Sequence, residues 1–177
     1  MKKLFLLFAM LISVLTASAG DKVLDLEKGE LASLKTGGNV AVVFNFDGAM
    51  YDMKETLAAH YSNLAELIAK VLFNFTEGFN DKCKKLKIVD SADAKYIITI
   101  KVDNMDCYYK VVSFVPGHVT KVWGTATIKD NTTDDTIAVI NITECAGSRD
   151  FTIDDSFGKC FISLGEKLAN AFNKGKL

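Results

Sequence analysis

The chain has 177 residues, 21 basic against 22 acidic side chains, a formal net charge of -1 and 49% hydrophobic residues, with Arg149 its only arginine and Pro116 its only proline. That balance excludes a binder of the phosphate backbone, which needs a surplus of Lys and Arg to displace counterions. It also supplies enough apolar side chain for one core without metal or disulfide staples.

Lys2 and Lys3 precede an apolar run over residues 4–15, and Ala17, Ser18 and Ala19 follow as a small-residue cleavage site. This is the pattern of a secretory signal peptide over residues 1–19. The run is shorter than the roughly 20 apolar residues that cross a bilayer. No second run of that length follows, so no transmembrane segment is expected. Gly20, rather than a lipid-accepting cysteine, comes after the cleavage site, so the expected product is soluble and exported to the periplasm or outside the cell. Residues 20–177 carry no repeat, low-complexity tract or linker and are expected to form one domain.

Residues 39–46, NVAVVFNF, are a nearly unbroken apolar run after Gly37 and Gly38, which predicts a central strand covered on both faces. Beyond Ser62 the period changes. Leu64, Leu67, Ile68, Val71, Leu72, Phe75 and Phe79 recur at three and four, which predicts an amphipathic helix ending near Cys83. Ser62 or Asn63 is its N-cap, with Glu66 placed for a capping box. Residues 85–90 read as a strand completing a parallel strand-helix-strand crossover. Residues 94–106, 120–129 and 136–144 alternate as three strands of an antiparallel meander. A second amphipathic helix, capped by Asp155 or Ser156, buries Phe157, Cys160, Phe161, Leu164, Leu168 and Phe172. Both helices need a sheet to cover, so the expected fold class is α+β: a mixed sheet of about five strands covered by two amphipathic helices.

The stretch SADAKYIITIKV, residues 91–102, sets small and acidic residues before an aromatic and a strictly alternating strand. With this order of elements, the chain resembles exported bacterial envelope domains: the curli-secretion lipoprotein, the penicillin-binding-protein activator lipoproteins and the amino-terminal domain of the Tol-Pal propeller protein. Over its whole mature length it looks like small exported bacterial proteins of unknown function. The resemblance implies assembly or protein contact rather than catalysis, although fold alone warrants no function. The lipidated cysteine of the lipoproteins is missing here.

If strand directions alternate through the meander, Cys83, Cys107, Cys145 and Cys160 collect at the lower end of the sheet. Asp47, Tyr51, Asp52, His60, Asp90, Ser91, Asp93, Asp134 and Asp135 then collect at the upper end. The four cysteines are possible disulfide partners in an exported chain, and four allow three pairings. Cys107 with Cys145 is disfavoured, because an intervening strand separates the two by roughly 9–10 Å. Cys145 with Cys160 and Cys83 with Cys160 stay open, as does a fully reduced state.

Catalytic grammar is absent. The cysteine spacings lack the close pairs of a zinc site. DNMD, residues 103–106, lacks the glycine and glutamate of a calcium loop. Neither His60 nor His118 is paired in sequence with a nucleophile. No catalytic residue, metal ligand or cofactor is assigned. Trp123 is expected in the core.

One surface feature rises above background. Residues 107–119, CYYKVVSFVPGHV, connect two strands yet carry Tyr108, Tyr109, Val111, Val112, Phe114 and Val115. Either the strands continue into a protruding hairpin turning at Pro116 and Gly117, with these side chains as contacts for a protein partner, or one face of the hairpin packs on the core. The leading expectation is a non-enzymatic exported binding or assembly module using that hairpin. The alternative is a small-molecule or divalent-metal binding protein, extending to hydrolysis, that uses Asp47, Asp52, His60 and Asp93.

Overall fold

The computed structural model describes residues 23–112 and 115–177, so residues 1–19, expected to be a signal peptide, lie outside the described residues. Among the described residues, eight strands and three α-helices run in the order β1 (Leu24–Gly29), β2 (Gly38–Asn45), β3 (Met50–Tyr51), β4 (Glu55–Thr56), α1 (Leu57–His60), α2 (Leu64–Lys82), β5 (Leu86–Ile88), β6 (Tyr96–Val112), β7 (Val115–Asp130), β8 (Thr136–Ala146) and α3 (Ile153–Lys174). The sheet order is β1-β8-β7-β6-β2-β5, with β3 beside β6 and β4 beside β3. It is a mixed α/β fold of eight strands where about five were expected. The three extra strands have plain causes. β1 is a charged edge, LDLEKG, and β3 and β4 are two residues each, too short to show a period.

The strand-helix-strand crossover is present, because β2 and β5 pair in parallel. The meander β6-β7-β8 is antiparallel throughout. One direction differs from expectation: β6 also runs parallel to β2, in the register Val40 to Tyr96. β5 ends opposite the same residue, Val40 to Ile88, so residues 89–95 carry the chain across β2 without reversing it. Taking the direction of β2 as up, β5, β6 and β8 run up, while β1 and β7 run down.

α2 and α3 cover one face of the sheet. Val40, Val42, Phe44, Ile98, Ile100, Ala126, Ile128 and Ile140 meet Phe75, Phe79, Phe161 and Phe172 in one buried cluster. Phe44 is its hinge, edge-on to Phe75 at 5.4 Å and to Phe161 at 5.7 Å. Among the described residues no helical layer lies on the opposite face, where Val43 of β2 is 46% exposed and is not covered. The helix termini are capped within the chain. Asn63 accepts from the Glu66 N–H at 3.2 Å, the N-cap half of the expected capping box, while the Glu66 carboxylate accepts from the Asn63 side-chain amide at 3.0 Å rather than from its backbone N–H. Thr152, three residues before the expected cap, accepts from the Asp155 N–H at 3.0 Å. Asp154 and Asp155 therefore lie in the first turn, where the helix dipole favours them. Ser156 is buried instead, 3.0 Å from the Thr120 hydroxyl.

Candidate functional site

β6 and β7 outlast the rest of the sheet and form a hairpin at its upper end. The ladder continues through Cys107 to Thr120, Tyr109 to His118, Val111 to Pro116 and Val112 to Val115. The turn is therefore not at Pro116 and Gly117, which pair as strand residues; Ser113 and Phe114 lie outside the described residues. Proline is tolerated there because of its orientation. His118 exchanges both backbone bonds with Asp150, at 2.6 and 3.0 Å, so this parity of β7 faces away from β6 and Pro116 removes no ladder bond.

The two faces of the hairpin differ. Met105, Cys107, Tyr109 and Val111 alternate onto the helix side, opposite Val122, Thr120, His118 and Pro116. The base of that face is sealed, because Met105 and Val122 are 1% exposed and Thr120 binds Ser156 of α3. The tip runs past the end of α3, leaving Tyr109 61% and Val111 60% exposed. The base of the hairpin thus packs on the core while its tip is exposed, with the boundary between Cys107 and Tyr109. Tyr108 is on the other face, half-buried, its ring 5.2 Å from the Lys121 ammonium, which binds Glu144 at 2.6 Å. For Val112 and Val115 the description extends to the backbone pairing alone. Phe151, 74% exposed, and Ile153, 47% exposed, follow Asp150 beside the same tip.

The expected sorting of thiols and carboxylates to opposite ends does not occur. Because β6 runs up, Cys107 belongs to the upper end, with Cys145 at the end of β8 and Cys160 in the second turn of α3. Cys83 caps the lower end of α2. All four are free thiols. The Cys160 thiol donates to the Cys145 carbonyl at 3.2 Å, so these two stand side by side, while Cys83 lies near Asn173, at the other end of the fold.

The acidic rim also divides. Asp47 and Asp52 follow the upper end of β2, and the His60 ring stacks on Tyr51 at 3.7 Å with its Nδ1 2.8 Å from Glu55. Asp93 stands at the start of β2, where its carbonyl accepts from the Asn39 amide at 3.3 Å. Asp134 and Asp135 lie at that lower end too, next to Asn131, which donates to Ser91 O at 3.1 Å. The four residues Asp47, Asp52, His60 and Asp93 therefore form no single site. Among the described residues, no group of three His, Cys, Asp or Glu side chains is placed to hold a metal ion.

What Asp52 joins is a cleft of about 480 Å³ on the helix-free face, lined by Met50, Met53, Asp103, Asn104, Asp106 and Trp123. Trp123 is half-buried on its wall rather than in the core. A bulge between Val102 and Asn104 makes this arrangement, leaving Asp103 without a partner in the ladder. Sequence reading weighed residues 103–106 only as a calcium loop, which they fail; their placement around a cleft was not legible because a bulge has no period. The Asp106 carboxyl is held above the usual carboxylate range, first by burial and then by the negative charge of Asp52.

On the helix side, Tyr51, His60 and Tyr61 form an aromatic cluster, His60 and Tyr61 meeting edge-on at 4.9 Å. Burial, followed by the charges of Tyr51, Cys107 and Asp154, pushes the Tyr61 phenol up to about 12. A raised phenol contributes stability that is complete below the unfolded value of about 10 and is lost as pH rises toward the folded value. Ultraviolet titration should show a late phenolic step that Tyr61→Phe removes. The variant should also lose less stability than the parent over that alkaline window.

Among the described residues, no helix is long and apolar enough to cross a membrane. No family model matches the chain, and no curated protein does. Among solved structures, the chain is similar to the PelC dodecamer from Paraburkholderia phytofirmans, at 14% identity and a TM-score of 0.46, covering 87% of this chain and 97% of that one. It is similar to a hypothetical protein from Chlamydia trachomatis at 11% identity and a TM-score of 0.33, over 63% of this chain and 73% of that one. A neuraminyllactose-binding hemagglutinin homolog from Helicobacter pylori matches at 8% identity and a TM-score of 0.36, covering 84% and 89%. None of these three is one of the lipoproteins or the propeller protein that the sequence pattern resembles.

Proposed function

We propose that the chain is an exported, non-enzymatic binding or assembly module of the bacterial envelope whose contact surface is the tip of the β6–β7 hairpin. The observation that carries this reading is the exposure of Tyr109 and Val111 on a strand pair projecting past the layer that covers its base. Phe151 and Ile153, also exposed, follow Asp150, the backbone partner of His118. A paired two-stranded projection presents aromatic and aliphatic anchors, which suits a protein partner. Export rests on the pattern of residues 1–19. The double variant Tyr109→Ser/Val111→Ser should keep the circular dichroism and melting temperature of the parent, since surface changes cost within about 0.5 kcal/mol. It should lose at least ten-fold in affinity for the envelope partner isolated with the parent. Equal affinity of the two proteins would refute the reading.

A second reading, binding of a small organic cation, is favoured by the Asp106 carboxylate in the cleft walled by Trp123, where Asp52 and Asp103 are also present but paired with Lys54 and Lys101. An indole face and nearby carboxylates attract a quaternary ammonium group. Tetramethylammonium should then raise the melting temperature of the parent and not that of Trp123→Leu, as mass action requires of a native-state ligand. Calcium and magnesium, run alongside, test the metal form of the same reading. A flat response to all three removes it.

A further inference from the structure

Among the described residues, the edge of β2 is open where an added strand would fit. On its β5 side, the Gly38 N–H donates to Lys85 O at 3.1 Å and Val40 O accepts from the Val89 N–H at 2.9 Å. Asn39 points the other way, its carbonyl accepting from the Lys95 N–H of the segment entering β6. With this two-residue alternation, the N–H and C=O of Val42 and Phe44 face the β5 side as well. There β5 has already ended, opposite Val40. The same column of the sheet resumes only at β4, which pairs with β3. Between them is a gap in the sheet with two donors and two acceptors along its wall.

The lower part of the gap opens into a cleft of about 560 Å³, bounded by Val42, Val43, Leu72 and Thr76 along its length and by Ile88, Asp90 and Asp93 at its lower end. Leu72 is 37% exposed and Val43 46% exposed. Among the described residues, neither Asp90 nor Asp93 forms an ion pair. Other edges of this sheet are defended. β1 carries Asp25, Glu27 and Lys28, and β5 is only three residues long. The free stretch of β2 has no charged residue, proline or bulge, the devices that keep an uncovered edge from pairing.

We propose that this gap is a strand-acceptor site for a short extended segment of another protein. The segment is four or five residues long, with apolar side chains at alternate positions and a Lys or Arg at the end that reaches Asp90 and Asp93. Main-chain bonds to Val42 and Phe44 supply the attachment, and Leu72 and Val43 read alternate side chains. The occupant is a terminus or loop rather than the sheet edge of a second copy, because β5 and β4 close the column at both ends. This site is separate from the hairpin tip, so each stands or falls without the other.

The test is amide hydrogen exchange by NMR on the isotope-labelled full chain. The probes are capped hexapeptides of alternating Val and Thr, with Lys at the first or last position, and matched peptides carrying Glu instead. At least one Lys peptide should slow exchange at Val42 and Phe44 at least ten-fold and bind more tightly than its Glu counterpart. Asp90→Asn/Asp93→Asn should erase that preference. Val43→Lys, a change at an exposed side chain, should abolish binding while the melting temperature holds. Failure of every peptide to protect these two amides would overturn the proposal. So would protection that rises with protein concentration alone, which would assign the edge to a second copy, or protection mapping to the hairpin.

Discussion

Phe161→Ala is expected to lower the unfolding free energy by about 3–5 kcal/mol, the range for deleting a fully buried aromatic ring. Phe161 is 0% exposed and touches both layers, lying 5.7 Å from Phe44 of β2 and 5.1 Å from Phe157 one turn earlier on α3. Removing the ring leaves Phe44 without one of its two edge-on partners and opens a void between sheet and helix that neither can close alone. Equilibrium urea denaturation of parent and variant measures the difference as a shift of midpoint at constant slope. A loss below about 1.5 kcal/mol would mean that the site collapses freely, contrary to a close-packed interface.

Gly165→Ala is expected to cost about 3 kcal/mol despite the roughly 1 kcal/mol that alanine gains over glycine in a helix. A Cβ at Gly165 would stand 2.3 Å from the Phe75 carbonyl oxygen and 2.8 Å from the Phe79 nitrogen, both backbone atoms of α2. Gly78 makes the reciprocal approach, its virtual Cβ 2.1 Å from the Ile162 carbonyl oxygen of α3. Backbone cannot step aside as a side chain can, so the helices must part and drag their phenylalanines off the sheet. Gly158→Ala is the control, since its nearest neighbours are atoms of the Asn74 side chain at 3.1–3.4 Å. There the propensity gain offsets a small displacement, and the change should be close to neutral. Calorimetric melting of the three proteins separates the cases. A stabilised Gly165→Ala would show that the helices do not cross where α2 and α3 bring these glycines together.

Periodicity carried the sequence reading where a segment was long and one-sided. The apolar stripe of α2 and the alternation of β7 and β8 need only neighbouring residues to be legible, and they fold as their patterns require. The direction of β6 was not legible, since it depends on residues 89–95 crossing β2 to a register shared at Val40, a long-range fact with no local signature. That one direction moved Cys107 to the upper end and Asp93 to the lower. The hairpin was legible as an apolar connector, yet its turn was assigned to Pro116 and Gly117 because those residues favour turns in isolation. The ladder overrides this preference, because Pro116 faces an edge where no donor is needed. The gap beside β2 was invisible for another reason. An unbroken apolar run such as NVAVVFNF reads as doubly covered, and nothing in it tells where a neighbouring strand stops.

The central claim is that partner contact is concentrated at the projecting tip of the β6–β7 hairpin. Site-specific photocrosslinking in the living producer cell tests it most directly, with the crosslinker placed in turn at Tyr109, at Val111 and, as a control, at Phe73, which is 71% exposed on α2. Discrete adducts of one mass from the two hairpin positions, and none from Phe73, are the predicted result. Adducts from Phe73 with none from Tyr109 or Val111 would contradict it.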